Sequence, residues 1–437
     1  MRILFLIIFS HIIFFQKAFA SYNLNINFFS NFNDEFLIEY IKEALENNHQ
    51  LKQAQFKVEQ YRQEIKSVFS KELPQLSVSS NYLGSHFPSG DSNFLIDNNS
   101  YILPFKVSWE LDFLLKTKDK IDSAKKLYKA QVANQKSVYL SLISDVASNY
   151  INILLYDFLI EIQEKILIDE MKNVDLIERK YNQGIIELTD YNDSISSLKT
   201  QEILYQNLIK NRSTMLYNFL VLIGKSPDVA NEIKRGKIEK FEYLKNIPLE
   251  IASSVIFHRP DIIEIENKLK SAKIDITIAK KDFFPTFNIT GFLAFDTAGY
   301  GNFFSWESSF AYLVAGLTQD IFKGGYKIAN LKIKKAKYKE LLEEYFQKDL
   351  IALKEVNNAL NLIEKDRRNE QNSKEQLELE SKNFRKTTKK LNRGIISNVD
   401  YLHDRNALNQ RKQLYMTSKA TRLIDYITLY KACGGEI

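Results

Sequence analysis

Ionisable residues follow two glycines of this sequence at the same spacing. Asp190 lies six residues after Gly184, and Asp400 lies six residues after Gly394. An aspartate near the start of a helix commonly caps it, because the carboxylate accepts bonds from free N–H groups and complements the helix dipole. A spacing of six predicts positions beyond the first turn, where capping explains these residues less well. Further ionisable residues follow closely, namely Asp193, His403 and Asp404.

The remaining motifs do not support enzymatic chemistry. Gly224-Lys225-Ser226 is similar to the end of a phosphate-binding loop, but Phe219 stands where that motif needs a glycine. The histidines show no metal-ligand spacing, and a single Cys433 excludes a disulfide framework. With 60 basic and 54 acidic residues, the chain is too evenly charged to indicate nucleic acid. We therefore predict no enzymatic activity, no cofactor, no metal site and no nucleic-acid partner.

The sequence contains two copies of one repeated unit. Residues 181–191 match residues 391–401 at six of eleven positions, with an offset of 210. Pro74 matches Pro285 at an offset of 211, and Gly224 matches Gly434 at 210. A nearly constant offset indicates a duplication. We predict a first repeat at 21–224, a connector at 225–248 and a second repeat at 249–437.

The first twenty residues have the pattern of a signal peptide. A short positive start is followed by an apolar run and by Ala18-Phe19-Ala20, which predicts cleavage before Ser21. A membrane anchor is the alternative, but the run is shorter than the roughly 20 residues that a spanning helix needs. No later apolar run reaches that length, so we predict an exported chain without a membrane-spanning helix.

Each repeat predicts the same order of elements: a helix, two strands, a very long helix, a glycine turn and a returning helix. The long helices, at 114–181 and 323–391, lack proline, and each would span about 100 Å at the standard rise. On both helices, apolar residues recur alternately three and four positions apart. This spacing predicts a stripe of coiled-coil contacts, or seam, along each helix. The seam residues are Leu140, Ile143, Ala147, Tyr150 and Leu154 in the first repeat, and Phe346, Leu350, Leu353, Val356, Leu360 and Ile363 in the second.

The four strands are predicted at about 75–87, 101–112, 286–296 and 308–321, where apolar and polar residues alternate. Their apolar face is rich in Tyr, Phe and Trp, as in membrane strands, although a small soluble β-domain shows a similar pattern. Four strands cannot close a barrel, and open edges are not tolerated in lipid. If the strands span a membrane, several chains must share one barrel, and three chains would supply twelve strands.

This arrangement resembles the TolC-type outer-membrane factors of bacterial efflux and secretion systems, over almost the whole exported chain. The two glycine turns carry the resemblance, together with His258-Arg-Pro-Asp261, residues 279–285, Ser108-Trp-Glu-Leu-Asp112 and residues 429–435. The Arg-Pro-Asp and Gly-Gly phrases are most similar to the branch that serves RND-type pumps. That branch often carries a lipid-modified N-terminal cysteine, which is absent here. The resemblance implies a mainly α-helical homotrimer with a twelve-stranded barrel in outer-membrane lipid and a twelve-helix periplasmic tunnel.

The resemblance also implies an outer-membrane location in a Gram-negative bacterium and a passive exit duct. The expected partners are a periplasmic adaptor and an inner-membrane pump of RND or ABC type. A ring of acidic residues would surround the periplasmic entrance, and the turns would form the hairpin tips that meet the adaptor. The ring would comprise Asp190, Asp193, Asp400, His403 and Asp404, and the tips Asn182, Gly184, Asn392 and Gly394.

One departure from the family concerns the gate. Members that lock the entrance with an arginine two residues after the turn glycine have Ile186 and Ile396 at that place here. Lys180 and Arg393 are the nearby candidates for a closing contact. Two other functions remain open at this point, a duct for type I protein secretion and a soluble periplasmic coiled-coil scaffold. The sequence does not name the cargo.

Overall fold

The computed structural model describes residues 27–84, 99–242, 253–297 and 304–436. Several predicted features lie wholly or partly outside these residues: the signal peptide at 1–20, the starts of the two repeats at 21–26 and 249–252, the end of the first strand at 85–87 and the last part of the connector at 243–248. The described chain is mainly helical. It contains eight α-helices and five strands.

The helices and strands follow the order that the repeat predicts. In chain order they are α1 (Asn27–Ser30), α2 (Glu35–Asn47), α3 (His49–Phe69), β1 (Gln75–Val78), β2 (Asn81–Gly84), β3 (Asn99–Leu111), α4 (Lys116–Asn182), α5 (Leu188–Leu222), α6 (Pro260–Lys281), β4 (Thr286–Thr297), β5 (Ser309–Thr318), α7 (Tyr326–Asn392) and α8 (Asn398–Ala432). Short 3-10 turns lie between several of them. Both α4 and α7 are 67 residues long, and both α5 and α8 are 35.

The chain divides into two compact units. The hairpin unit is drawn from Met1–Ala54, Gln135–Pro260 and Lys348–Ile437, and the strand unit from Gln55–Asn134 and Asp261–Gln347. The strand unit contains all five strands in one antiparallel sheet, in the order β1-β3-β4-β5, with β2 also pairing with β3. Each repeat therefore contributes its strands to a common sheet.

The first predicted strand is divided into β1 and β2, and Pro104 supplies the reason. In the register of β3, Val78 faces Phe105 and Asn81 faces Ile102, so the gap at residues 79–80 lies opposite Pro104 and its neighbour. Proline has no N–H to donate to a neighbouring strand. Its carbonyl still accepts a bond from the Ser79 N–H, at 3.2 Å, which keeps the two short strands in line.

Within the strand unit, α6 packs against both long helices. The hydroxyl groups of Ser123 on α4 and Ser271 on α6 lie 2.8 Å apart, and Ser123 also donates to Asp275 at 2.8 Å. On α7, Leu341 joins Ile265 and Ala272 of α6 in a small buried cluster. The first helix of the second repeat thus links α4 to α7 within the strand unit.

The seam predicted on α4 forms the centre of the hairpin unit. Ile143, Ala147 and Tyr150 are fully buried, and Leu140 and Leu154 are buried nearly as completely. Among the described residues, α4 is also the helix with an 18-residue window apolar enough to cross a membrane, and 67% of that window is buried within the chain. Such burial is typical of the core helix of a bundle.

The seam predicted on α7 is only partly correct. Val356 and Ile363 are buried, but Phe346, Leu350 and Leu353 are 50%, 63% and 37% exposed. The buried stripe of α7 instead runs through Ala352, Val356, Ala359, Ile363, Glu370 and Ser373. Apolar residues therefore occupy two faces of α7, and one chain covers only one of them.

The first part of the connector is tied to the hairpin unit by polar contacts. Arg235 donates two bonds to the carboxylate of Asp157 on α4, at 3.0 and 3.1 Å. The Gly236 N–H donates to the hydroxyl of Tyr150, and a Cβ at Gly236 would collide with the Asp34 carboxylate. These contacts require glycine at 236, because the backbone passes directly over the start of α2.

In each repeat, a side chain donates a hydrogen bond to a backbone carbonyl at the end of the last helix, and we call this contact the clasp. Asn48 donates to the carbonyl of Leu222 near the end of α5, and Arg259 donates to the carbonyl of Ala432 at the end of α8, both at 2.9 Å. Arg259 is 211 residues after Asn48, which is the repeat offset. It also pairs with Glu355 of α7 at 2.7 Å. Free carbonyls at helix ends need partners, and these side chains supply them.

Candidate functional site

The two hairpin turns have the same backbone geometry. Gly184 and Gly394 both adopt φ +69°, in the left-handed region. Each donates to the carbonyl three residues earlier at 2.8 Å, and the following isoleucine donates five residues back at 2.9 Å. This pair of bonds is the Schellman motif, which satisfies the last carbonyls of a helix and favours glycine. Asn182 and Asn392 are the last residues of α4 and α7. The turns therefore end both long helices in the same way.

The prediction that Asp190 and Asp400 lie beyond the first helical turn is wrong. Both lie within the first turn, of α5 and α8 respectively. The reason is that the Schellman turn and the extended residues after it take up the chain between the two helices, so the sixth residue after the glycine is only the third of the next helix. Helix capping is therefore available to both aspartates.

Asp400 forms a reciprocal capping box with Ser397. The Ser397 hydroxyl accepts from the Asp400 N–H at 3.1 Å, and the Asp400 carboxylate accepts from the Ser397 N–H at 3.1 Å and from its hydroxyl at 2.7 Å. These bonds hold the pKa of Asp400 below its usual range, with Lys180 contributing a smaller effect. The Ser-x-x-Asp spacing at the start of the helix was the sequence signal for this cap. Glu187, the equivalent cap of α5, makes no side-chain capping bond.

The other predicted ring residues differ in their surroundings. Asp193 is exposed, as are Asp190 and Asp400. His403 is 85% exposed, with its Nδ1 3.8 Å from the Asp404 carboxylate. Asp404 itself accepts a 2.6 Å bond from the Thr387 hydroxyl and joins α8 to α7. Three carboxylates thus face solvent around the turns, and the fourth has a structural contact.

The two hairpins lie side by side within the hairpin unit. Arg405 of α8 forms a two-bond pair with Asp169 of α4, whose side chain is only 5% exposed. Asn406 donates to Glu170 at 3.0 Å in the adjacent position. Lys180, near the first turn, is close enough to lower the pKa of Asp400 at the second. The acidic residues of both repeats therefore belong to one neighbourhood.

Aromatic side chains pack against each other beside each turn. Tyr181 stacks on Tyr191 with ring centroids 5.4 Å apart and planes 5° apart. At the second turn, Phe384 contacts Tyr401 at 5.3 Å, and the Arg405 guanidinium lies 5.3 Å from the Tyr401 ring. These contacts fix the entry of α5 and α8 and so the direction of the aspartates beside them.

Isoleucines occupy the position two residues after each turn glycine, where the resemblance implies an arginine in those members that lock the entrance with one. Ile186 and Ile396 are half-buried, whereas the preceding Ile185 and Ile395 are 65% and 64% exposed. Of the two basic candidates, Lys180 acts on Asp400 within the chain, and Arg393 is exposed beside its turn. Among the described residues, no group of three or more His, Cys, Asp or Glu side chains is placed to hold a metal ion.

A family model described as "Outer membrane efflux protein" matches residues 40–224 and 251–435, in two segments that correspond to the two repeats. The chain belongs to the outer membrane efflux protein family. It is an outer-membrane component of an efflux system, which confirms the predicted family, exit-duct role and location. This membership also decides against the soluble scaffold.

Curated efflux proteins are similar over most of their length. The Cation efflux system protein CusC of Escherichia coli (strain K12) is 26% identical over 401 residues, which cover 90% of this chain and 85% of CusC. Outer membrane protein OprJ of Pseudomonas aeruginosa is 23% identical over 398 residues, covering 90% of this chain and 82% of OprJ.

Solved channels of the family share the fold. The outer membrane channel CmeC of Campylobacter jejuni superposes with a TM-score of 0.84 at 21% identity, covering 94% of this chain and 88% of CmeC. A crystal structure of CusC gives 0.77 at 22% identity, covering 92% and 93%. This efflux-family chain therefore combines long helical hairpins and antiparallel strands in the manner of known outer-membrane channels.

The turn glycines permit a direct test of the hairpin geometry. Replacing Gly394 by valine is expected to strain the turn by about 1–3 kcal/mol, because a β-branched residue disfavours positive φ. No atom lies within 4 Å of a Cβ at this position, so the strain is purely conformational. We expect the chain to insert in the membrane at its normal level and efflux to fall, measured as cargo retention in cells.

Asparagine at the same position is the matched control, since it tolerates the left-handed conformation. The Gly394→Asn variant is expected to keep near-normal efflux. Equal efflux by the valine and asparagine variants would show that the shape of this turn does not matter for transport.

Proposed function

We propose that this chain assembles as a homotrimer and forms the passive exit duct of a tripartite efflux system. Its partners would be a periplasmic adaptor, which meets the hairpin turns, and an inner-membrane pump of RND type. The twelve-stranded barrel would lie in the outer membrane and the twelve-helix tunnel in the periplasm. The observation that carries this proposal is that the sheet formed by the described strands ends on an edge strand at each side.

The sheet of one chain ends on β5 at one side and on β1 with β2 at the other. Unpaired backbone groups at a strand edge cannot be satisfied in hydrocarbon, so membrane strands must close into a barrel. Apolar residues on the edge strands are highly exposed in one chain, with Leu76 at 71%, Leu313 at 74% and Leu317 at 66%. If β1 and β2 are counted as one strand, each chain supplies four strands and three copies would supply twelve. Twelve is within the range of strand numbers in known barrels.

The hairpin unit supports the same assembly. Among the described residues, side-chain bonds join α5 to α4, α4 to α8 and α8 to α7, so that α5 and α7 stand at the outer ends of this series of contacts. Both outer helices expose large apolar side chains, namely Ile203, Leu204, Tyr217 and Val221 on α5 and Leu350, Leu353, Leu362 and Leu379 on α7. We propose that α5 of one copy packs against α7 of the next.

A mass measurement tests the assembly. We expect the chain extracted from outer membranes in mild detergent to have the mass of three copies by native mass spectrometry. The same sample after full denaturation gives the mass of one chain and serves as the reference. A monodisperse monomer before denaturation would contradict the trimer and, with it, the shared barrel.

The cargo is tested in cells. A host strain that lacks this chain is expected to become sensitive to metal cations or antibiotics, and plasmid expression of the chain should restore resistance. A duct for type I protein secretion is the second candidate. It would be favoured by normal resistance together with the loss of a secreted protein from the medium.

A further inference from the structure

A buried carboxyl pair joins α7 to α8 away from the hairpin turns. Asp425 of α8 is only 5% exposed, and among the described residues its Oδ2 atom is buried without a hydrogen-bond partner. The carboxyl group of Asp366 on α7 acts on the Asp425 carboxyl group both as a like charge and as a side-chain hydrogen-bond partner. Asp366 is half-buried, and its Oδ1 accepts a 2.8 Å bond from Asn369. Two acids of the same sign therefore face each other inside the second hairpin.

The basic residues that precede and follow Asp425 on α8 have other partners. Arg422, one turn before Asp425, donates to Glu370 of α7 at 2.6 Å and to the Tyr426 hydroxyl at 3.0 Å. The buried Lys419 donates to the backbone carbonyl of Glu239 in the connector at 2.9 Å. On the α4 side, Lys431 pairs with Asp145 at 3.3 Å. Of the described titratable groups, Asp366 is the one that acts on the ionisation of Asp425.

Two ionised carboxylates cannot satisfy one another. A carboxylate only accepts hydrogen bonds, so an ionised pair would leave Oδ2 of Asp425 without a donor and would add like-charge repulsion. One proton removes both penalties, because a protonated carboxyl donates to its neighbour and the pair keeps a single negative charge. Burial, and secondarily the charge of Asp366, raises the pKa of Asp425 to about 7.

We propose that Asp366 and Asp425 form a proton-binding site that fastens α7 to α8. With the proton bound, the two carboxyl groups share a hydrogen bond across the hairpin. When the proton leaves, the groups repel and the contact between the helices weakens. The site lies 25 residues along α8 from the cap residue Asp400, so it is separate from the predicted entrance ring. It rests on contacts within one chain and does not depend on the trimer or on the cargo.

Infrared spectroscopy detects the proton directly. In the purified full-length channel, a protonated-carboxyl stretching band is expected to disappear with a midpoint near pH 7. The band is expected to be absent from Asp425→Asn. It is expected to remain in Asp145→Asn, the matched control, which neutralises a half-exposed aspartate paired with Lys431. A wild-type spectrum without a carboxyl band that titrates between about pH 5 and pH 8 would overturn the proposal.

Thermal unfolding gives a second readout, and its sign follows from proton linkage. The pKa of Asp425 is higher in the folded chain than the ordinary 3.8, so the folded state binds the extra proton between those values. Relative to Asp425→Asn, the ratio of folded to unfolded wild-type protein is expected to fall about tenfold for each pH unit between about pH 4 and pH 7. Above pH 7 this ratio is expected to stay constant. A pH-independent difference between the two proteins would contradict a bound proton.

A second variant and an ion titration complete the test. Asp366→Asn removes the like charge but leaves Asp425 buried, so the band is expected to remain and its titration midpoint to fall below that of the wild type, a result that can be read even if Asp425→Asn folds poorly. Calcium or sodium ions added above pH 7 are expected to leave the wild-type melting temperature unchanged. Selective stabilisation of the wild type by such a cation, absent in both variants, would replace the proton with a metal ion and overturn the proposal.

Discussion

Replacing Arg259 by alanine is expected to destabilise the hairpin unit by about 2–4 kcal/mol. The Arg259 side chain is only 8% exposed, donates to the Ala432 carbonyl and pairs with Glu355. Its loss leaves a buried helix end without a donor and removes one of the links between α8 and α7. Because Glu355 is 43% exposed and can be solvated, the cost is expected to stay below that of a fully buried broken pair. The measurement is thermal or denaturant unfolding of the detergent-solubilised channel, followed by circular dichroism.

Two variants show which part of the arginine matters. Arg259→Lys keeps the charge but loses the planar fork that reaches two partners at once, so an intermediate loss is expected. Asn48→Ala removes the equivalent clasp of the first repeat together with the capping bond from the Leu51 N–H to Asn48 Oδ1, and is expected to cost about 2 kcal/mol. If Arg259→Ala unfolded like the wild type, the end of α8 would be held by backbone packing alone, such as the close approach of Gly434 to Arg259.

Neutralising both turn aspartates is expected to lower the cation preference of the channel. In the proposed trimer, Asp190 and Asp400 would supply six carboxylates around the periplasmic end. We expect the Asp190→Asn/Asp400→Asn double variant to reduce the cation-to-anion permeability ratio by roughly tenfold, the low end of the enrichment that a charged cleft gives its counter-ions. Block by trivalent cations is expected to weaken as well, because the crowded charges that bind them are gone. Single-channel recording in planar bilayers measures both quantities.

The capping role of Asp400 requires its own control. Asparagine can still accept the bonds of the capping box, so the double variant changes charge more than helix stability. Ser397→Ala removes the cap and keeps the charge, and is expected to cost about 1 kcal/mol without altering selectivity. Normal selectivity and normal block in a double variant that still inserts would reject the ring and leave capping as the role of both residues.

The long helices could be predicted closely from the sequence. The predicted spans 114–181 and 323–391 are observed as Lys116–Asn182 and Tyr326–Asn392. Proline-free runs and apolar steps of three and four are local properties, so they do not depend on the partners of a helix. Which apolar face becomes buried does depend on partners. The α7 seam through Leu350 and Leu353 stays exposed in one chain because another face of α7 packs inward.

The hairpin turns illustrate the limit of spacing arguments. The sequence indicated a turn at Gly184 and Gly394, because glycine favours the left-handed conformation that ends a helix. It misplaced Asp190 and Asp400 beyond the first helical turn, since the number of extended residues after each glycine cannot be counted from spacing alone. The Ser-x-x-Asp pattern before α8 contained the missing information.

The sequence by itself determined the repeated unit, the order of helices and strands, the two glycine turns and, through the resemblance, the efflux family. These features follow from local conformational preferences and from periodicity. Only the tertiary structure brought Arg259 to the end of α8, Arg405 to Asp169 and Asp425 to Asp366. Each of these pairs joins residues far apart in the chain, and its existence depends on the rotation and register with which the long helices pack.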